Sequence, residues 1–199
     1  MAKIIHFPVN PAPEKFGLQR ARRKKAQEAK PGQLDLFAGG KVVRLSELSP
    51  FEEALLLDDR GDHEAARRGY LKAIEEEDSP ADAWCNIGIL ESAAGNYPKA
   101  IDCFTMGLKL NPRHYEAHYN LANLYAEVGN HGLAKVHYAI AIELEPEFPN
   151  SYYNLGLTLA VLREYKEAIE ALTKYRSLTP SEDHGQTDDL IDKLSSTLE

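Results

Sequence analysis

The sequence predicts an all-α fold in which pairs of antiparallel helices stack into a solenoid. Three observations lead to this prediction: residue types recur every 34 positions, small residues alternate with large ones inside each period, and a proline closes each period. One helix pair cannot bury its apolar face alone, so neighbouring pairs must stack and the last pair needs a cap. The recurring sets are Trp84/His118/Tyr152, Ile87/Leu121/Leu155, Gly88/Ala122/Gly156, Ala100/Ala134/Ala168, Phe104/Tyr138/Leu172 and Pro112/Pro146/Pro180.

Local signals predict where the helices begin and end. Ser49 and Ser79 are each followed by a proline and, two residues after that, by an acidic residue. This pattern predicts a helix with the serine as its N-cap, the proline at its first position and the acidic residue at its third. Gly61, Gly95 and Gly129 fall in the turns between paired helices. Residues 187–198 carry an apolar stripe at helical spacing and predict a C-terminal capping helix.

This pattern, an aromatic residue followed by Leu-Gly and then by Ala, Phe and Pro, resembles the tetratricopeptide repeat. The resemblance implies a right-handed α-solenoid of about four repeats, at residues 47–80, 81–114, 115–148 and 149–182. The first is degenerate, because Pro50 replaces the aromatic residue. Residues 1–46 are then a largely irregular N-terminal arm, flexible or partly packed on the first repeat, and residues 183–199 a capping helix.

The resemblance also implies that the first helix of each pair lines a concave groove that binds an extended peptide. One asparagine recurs per repeat, and Asn86, Asn120 and Asn154 form a ladder similar to the one that lines the superhelix of O-linked N-acetylglucosamine transferase. A carboxamide both donates and accepts, so the ladder suits a peptide backbone of any sequence, although Asn is common here across the family. Co-chaperone clamps for heat-shock-protein tails have cations where this chain has Cys85, Asn150 and Asn154, which argues against such tails. The expected groove residues are Asn86, Tyr119, Asn120, Asn123, Tyr153, Asn154 and Leu157.

The N-terminal arm differs in charge from the rest of the chain. Residues 1–46 carry a basic excess, whereas the whole chain has a net charge of −8. A basic cluster at Arg20, Arg22, Arg23, Lys24 and Lys25 would attract phosphates weakly and without base recognition. Alternatively, the cluster is merely solvated or rests against the acidic repeats.

A short apolar segment inside this polar arm suggests a more specific partner. Residues 33–37 match in every position the Gln-Leu-(Ser/Asp)-Leu-Phe pentapeptide by which bacterial polymerases and repair proteins bind the replicative sliding clamp. The residues are Gln33, Leu34, Asp35, Leu36 and Phe37. Two alternatives remain open: the apolar side chains fold back to cap the first repeat, or the arm occupies its own groove until a partner displaces it.

No pattern in the sequence predicts catalysis. The chain has no His-Glu-x-x-His and no nucleophile elbow, and Gly39-Gly40-Lys41 lacks the remainder of a phosphate loop. His114 and His118 have a spacing that can hold a metal, but His118 takes the place of Trp84 and Tyr152, which favours packing. We therefore expect a protein that is not an enzyme and holds no cofactor or metal.

The predicted function is a non-catalytic scaffold or adaptor that binds an extended peptide in its groove. Tethering to the sliding clamp through Gln33–Phe37 is its more specific form. One alternative is a generic scaffold with a structural N-terminal cap, and another is a weak nucleic-acid-associated protein. The chain has only two cysteines and no segment long and apolar enough to span a bilayer, so we expect a cytoplasmic protein without membrane contact.

Overall fold

The structure, a computed structural model, describes residues 48–180 and 184–198. These residues form two compact units, residues 48–112 with α1 to α4 and residues 113–198 with α5 to α9. Within them every regular element is an α-helix, which confirms the predicted all-α repeat fold. The helices are α1 (Pro50–Asp59), α2 (His63–Glu75), α3 (Pro80–Ala93), α4 (Tyr97–Leu110), α5 (Tyr115–Glu127), α6 (His131–Leu144), α7 (Pro149–Val161), α8 (Tyr165–Leu178) and α9 (Gly185–Leu198).

The first helix begins as its sequence predicts, whereas α3 begins differently. The Ser49 hydroxyl accepts from the Glu52 backbone N–H, and the Glu52 carboxylate accepts from the Ser49 N–H, each at 3.3 Å, which completes a capping box. Ser79 does not cap α3 with its side chain. It is held at a φ of 54°, in the left-handed region, rather than in the extended conformation that aims an N-cap hydroxyl at the helix.

The turn between the two helices of a pair has the same backbone conformation throughout the described repeats. Gly61, Gly95 and Gly129 have φ values of +83°, +77° and +79°. These positive angles suit glycine, which lacks the Cβ that would clash. The fourth turn reaches the same region with a non-glycine residue, Arg163, at a φ of +63°.

Small residues bring paired helices into close contact, as the repeat pattern predicts. A Cβ added to Gly88 on α3 would lie 3.0 Å from the Phe104 ring on α4. A Cβ added to Gly156 on α7 would lie 2.7 Å from the Leu172 side chain on α8. Both distances are shorter than ordinary carbon–carbon contact, so the large side chain of the second helix fills the space that the glycine leaves.

Each unit buries its own apolar core. In the first unit, Phe51, Leu55, Tyr70 and Ile87 pack with small residues of α1 to α4. In the second unit, one cluster lies between α5 and α6 around Tyr119 and Tyr138, with Ala122, Ala134 and Ala141. A second cluster joins α7, α8 and α9 through Leu157, Leu159, Leu172, Leu190 and Leu194.

The last helix covers the end of the second unit. Leu190 and Leu194 of α9 are buried against α8, and Asp188 near its start pairs with Arg176 of α8 at 2.9 Å. The apolar stripe therefore faces the preceding helix, as expected of a capping helix. Within residues 48–180 and 184–198, no helix has the length and apolar character needed to cross a membrane.

Candidate functional site

The predicted groove residues lie on the first helices of three pairs, α3, α5 and α7. Asn86 is on α3 in the first unit. The remaining six are in the second unit, three on α5 and three on α7. Asn86, Tyr119, Asn120, Asn154 and Leu157 are all buried, whereas Asn123 and Tyr153 are partly exposed.

A polar network in the second unit joins three of the predicted residues. The Asn154 side-chain amide donates to the Tyr119 hydroxyl at 3.1 Å and to the Asn123 side-chain oxygen at 2.9 Å. The Tyr138 hydroxyl of α6 donates to that same Asn123 oxygen at 2.6 Å. Three successive helices, α5, α6 and α7, thus meet at one carboxamide oxygen.

The network fixes the orientation of Asn154 and leaves one of its atoms without a partner. Because the amide nitrogen points to two acceptors, the Oδ1 atom points away from them. Oδ1 is buried and has no hydrogen-bond partner among the described residues, and the side chain is only 1% exposed. An unsatisfied buried acceptor typically costs about 1–3 kcal/mol, and an incoming N–H donor reaches this atom only if the side chains that cover it move aside.

The first unit holds its rung of the asparagine ladder in a related way. Asn86 hydrogen-bonds the hydroxyl of Tyr70, which lies in the second helix of the preceding pair and donates to Asp58 Oδ2 at 3.1 Å. Burial, with the nearby Asp58 carboxylate, raises the pKa of Tyr70, so the hydroxyl stays protonated. In the second unit, burial, followed by the neighbouring Tyr119, likewise raises the pKa of Tyr138.

The sequence prediction missed the tyrosines behind the ladder. Tyr70 and Tyr138 share a register position with Phe104, which suggested only core packing. The tyrosine hydroxyl is the feature of the sequence that could have revealed them, because a buried Tyr O–H requires a hydrogen-bond partner. Phe104, at the same position of its repeat, has no hydroxyl. Tyr70 therefore bonds to the Asn86 side chain, Tyr138 bonds to Asn123 beside Asn154, and the corresponding residue for Asn120 is a phenylalanine.

The two apolar residues of the predicted groove differ in their surroundings. Leu157 belongs to the core cluster of α7 to α9 and is nearly inaccessible. Tyr153 is partly buried, with its ring centroid 5.0 Å from that of Tyr175 on α8. Burial, followed by the neighbouring Tyr175, raises the pKa of the Tyr153 hydroxyl.

The two histidines whose spacing could hold a metal, His114 and His118, each contact a different residue. His114 Nδ1 lies 2.8 Å from Glu116 Oε2, and His118 contacts His137 on α6 instead of His114. Burial, followed by the neighbouring His118, lowers the pKa of His137 to about 4. Within the described residues, no group of three or more His, Cys, Asp or Glu side chains is arranged to hold a metal ion.

Two predicted sites fall in the arm. The pentapeptide Gln33, Leu34, Asp35, Leu36 and Phe37 lies outside the described residues. The basic cluster of residues 20–25 does so too. Both remain predictions from the sequence alone.

Comparison with known proteins identifies the repeat. Models of the tetratricopeptide repeat match residues 81–114, 103–135 and 121–183, which together make up just over half of the chain. No curated protein matches the sequence as a relative.

Several solved structures have a similar fold. The first TPR of Spaghetti (RPAP3), bound to an HSP90 peptide, is 22% identical over 59% of this chain and 92% of its own, with a TM-score of 0.55. A crystal structure of MamA is 25% identical over 64% of this chain and 74% of its own, with a TM-score of 0.58. A structure of MamA from AMB-1 is 17% identical over 75% of this chain and 80% of its own, with a TM-score of 0.64. The chain is a member of the tetratricopeptide repeat family.

Proposed function

We propose that this chain is a non-catalytic interaction scaffold that binds an extended peptide segment of another protein. The observation that carries the proposal is the buried Oδ1 atom of Asn154, an acceptor without a partner among the described residues. A peptide backbone supplies N–H donors at regular intervals, and each suits such an acceptor. The fixed Asn154 amide lowers the ordering cost, because the acceptor is already oriented before the peptide arrives.

The ligand class follows from the residues that surround the ladder. Peptide binding by this fold is documented for Spaghetti (RPAP3), whose first TPR is bound to an HSP90 peptide. At the positions where co-chaperone clamps carry cationic side chains, this chain has Cys85, Asn150 and Asn154. Cys85 is buried, with its sulfur against Gly107 of α4. The proposed ligand is therefore an internal, extended segment with apolar side chains rather than an acidic carboxyl terminus.

The test is peptide selection followed by substitution of Asn154. A peptide array screened with the full chain should yield extended binders, and Asn154→Ala should weaken them by about 1–3 kcal/mol, a factor of roughly 5 to 150. Ser151→Ala is the matched control, since it removes another buried polar atom of the same helix that also has no partner among the described residues but takes no part in the hydrogen bonds of the network. Equal affinity of wild type and Asn154→Ala for every selected peptide, with both proteins folded, would remove this site from the proposal.

Asn120 offers a second test of the ladder. The proposal assigns it the same role toward the peptide as Asn154, although Phe104 takes the repeat position that Tyr70 and Tyr138 occupy elsewhere. Asn120→Ala should therefore weaken a peptide that spans both rungs by a similar factor. An effect confined to Asn154 would show that the ligand contacts one rung only.

A second candidate function is a tether to the bacterial sliding clamp through residues 33–37. The complete match to the clamp-binding pentapeptide favours it. Leu36 and Phe37 would anchor the peptide in an apolar pocket, and the basic residues 20–25 would add attraction that salt weakens. A cytoplasmic location follows from this partner, and weak contact with nucleic acid through the same basic residues is the remaining alternative.

Calorimetry with the purified clamp tests this second function. A peptide of residues 29–41 should bind with a micromolar Kd, about −8 kcal/mol. Replacing both Leu36 and Phe37 by Ala should abolish binding, whereas Asp35→Ser should be tolerated. If the segment is instead a structural cap, the double substitution lowers the melting temperature of the full chain and no binding to the clamp is seen.

A further inference from the structure

Two histidines of the second unit direct the same ring nitrogen at each other. His118 on α5 and His137 on α6 have their Nδ1 atoms 3.0 Å apart. Their ring centroids are 5.2 Å apart, with an angle of 29° between the ring planes. A hydrogen bond between two Nδ1 atoms needs one of them protonated and the other bare, so the pair cannot be satisfied with both rings in the same tautomer.

A second ring of α5 also packs against His137. Tyr125 of α5 stacks on it with a centroid distance of 5.6 Å and an angle of 28°. His137 therefore contacts two rings of α5, Tyr125 and His118. Packing of this kind fixes the direction of the ring nitrogen before any ligand binds, as a binding site requires.

We propose that His118 and His137 form a binding site for a divalent transition-metal ion, with the two Nδ1 atoms as its ligands. Two nitrogens about 2.0–2.1 Å from a tetrahedral ion are roughly 3.3 Å apart, so the rings need to separate by only a few tenths of an ångström. Imidazole nitrogen favours Zn²⁺, Ni²⁺ and Cu²⁺ and disfavours Mg²⁺ and Ca²⁺, which take oxygen ligands. His137 is partly exposed whereas His118 is buried, so the ion would enter from the side of His137.

The remaining coordination positions belong to water or to a group from a binding partner. No group of three or more metal-ligating side chains occurs among the described residues, so within them the site consists of the two imidazoles. Such a site is of moderate strength, and its open positions resemble those of metal sites that take an additional ligand. Bound metal would link α5 to α6 next to the polar network of the proposed peptide site.

The repeat register indicates that the pair is not required for folding. The position of His118 is occupied by Trp84 and Tyr152 in the neighbouring repeats. The position of His137 is occupied by Cys103 and Ala171. His118→Tyr and His137→Ala therefore each introduce a residue that the same fold already accepts elsewhere in this chain.

The experiment measures Ni²⁺ and Zn²⁺ binding to the full chain, prepared without a polyhistidine tag, by calorimetry at pH 7.5. We expect one ion per chain with a micromolar Kd and no heat with Mg²⁺. His118→Tyr and His137→Ala should each weaken binding at least tenfold. His131→Gln, on the same helix as His137, should leave it unchanged.

A spectroscopic readout separates ligation from an indirect effect on folding. In protein labelled with ¹⁵N-histidine, Zn²⁺ should shift the Nδ1 resonances of His118 and His137 together and leave those of His131 in place. The proposal is overturned if wild type binds no more Ni²⁺ than His137→Ala, or if the resonances that move belong to other histidines.

Discussion

The turn at Arg163 offers a stability test that depends on one backbone angle. Arg163 lies 34 residues after Gly129, and its φ of +63° is in the region that Gly61, Gly95 and Gly129 occupy. The hydrogen bonds are the same as well: the Arg163 N–H donates to Ala160 at 3.1 Å, as the Gly95 N–H donates to Ser92 at 2.9 Å. Arg163→Gly should therefore relieve strain without changing the turn.

The magnitude follows from two opposing contributions. Holding a non-glycine residue at positive φ costs about 1–2 kcal/mol, because its Cβ approaches the backbone. Glycine adds freedom to the unfolded chain, which offsets about 0.4–1 kcal/mol of the gain. The net stabilisation should be about 0.5–1 kcal/mol, which corresponds to a rise in melting temperature of about 1–4 °C in a chain of this size.

Circular dichroism at 222 nm, with heat and with urea, measures the effect. Arg163→Ala is the matched control, because it removes the charge and the long side chain but keeps the Cβ that causes the strain. Gly95→Ala is the reverse experiment, since nothing lies within 4 Å of an added Cβ and only the angle opposes it. If Arg163→Ala stabilises as much as Arg163→Gly, the arginine side chain and not the backbone is responsible, and the reasoning fails.

Three further predictions concern single side chains. Ser151→Ala should stabilise by about 1 kcal/mol in urea denaturation, because its buried hydroxyl has no partner among the described residues and Ala83 fills the same register position; a destabilised variant would reveal a hidden partner. Gly88→Leu should lower the melting temperature by several degrees, since even a Cβ there would lie 3.0 Å from Phe104; a melt within a degree of wild type would mean that the register is wrong. In metal-free buffer, stability should fall as the pH drops from 6.5 towards about 4, because unfolded His137 takes up a proton at its ordinary pKa and the folded ring resists. The loss between pH 7 and pH 5 should be about 1–2 kcal/mol, partial burial being allowed for, and a loss of the same size in His137→Ala would contradict this assignment.

The features that the sequence predicts well are those that depend on neighbouring residues. Gly95 and Pro112 restrict the backbone only of the residues next to them in sequence, so the ends of the adjacent helices could be predicted without knowledge of the packing. The close contact at Gly88 was also predictable, because Phe104 recurs as a large residue at the same distance in each repeat. These signals repeat every 34 residues, which strengthens each one.

The hydrogen-bond partners of the site could not be predicted in the same way. Asn154 bonds to residues 31 and 35 positions away, and His118 to one 19 positions away. Those pairs depend on how the helices pack, and polar side chains at such positions have several partners within reach. For this reason the sequence predicts that the whole Asn154 carboxamide faces the ligand, whereas in the structure its amide nitrogen donates to Tyr119 and Asn123.

The shared oxygen of Asn123 has a consequence for how the second unit opens. Because it accepts from Tyr138 of α6 and Asn154 of α7 while belonging to α5, none of these helices can detach without breaking a partly buried hydrogen bond that involves another. Amide protons of α5, α6 and α7 should then exchange with solvent as one cooperative group, rather than helix pair by helix pair. Replacing Asn123 by Leu would divide that group, so the exchange rates of α7 would separate from those of α5 and α6.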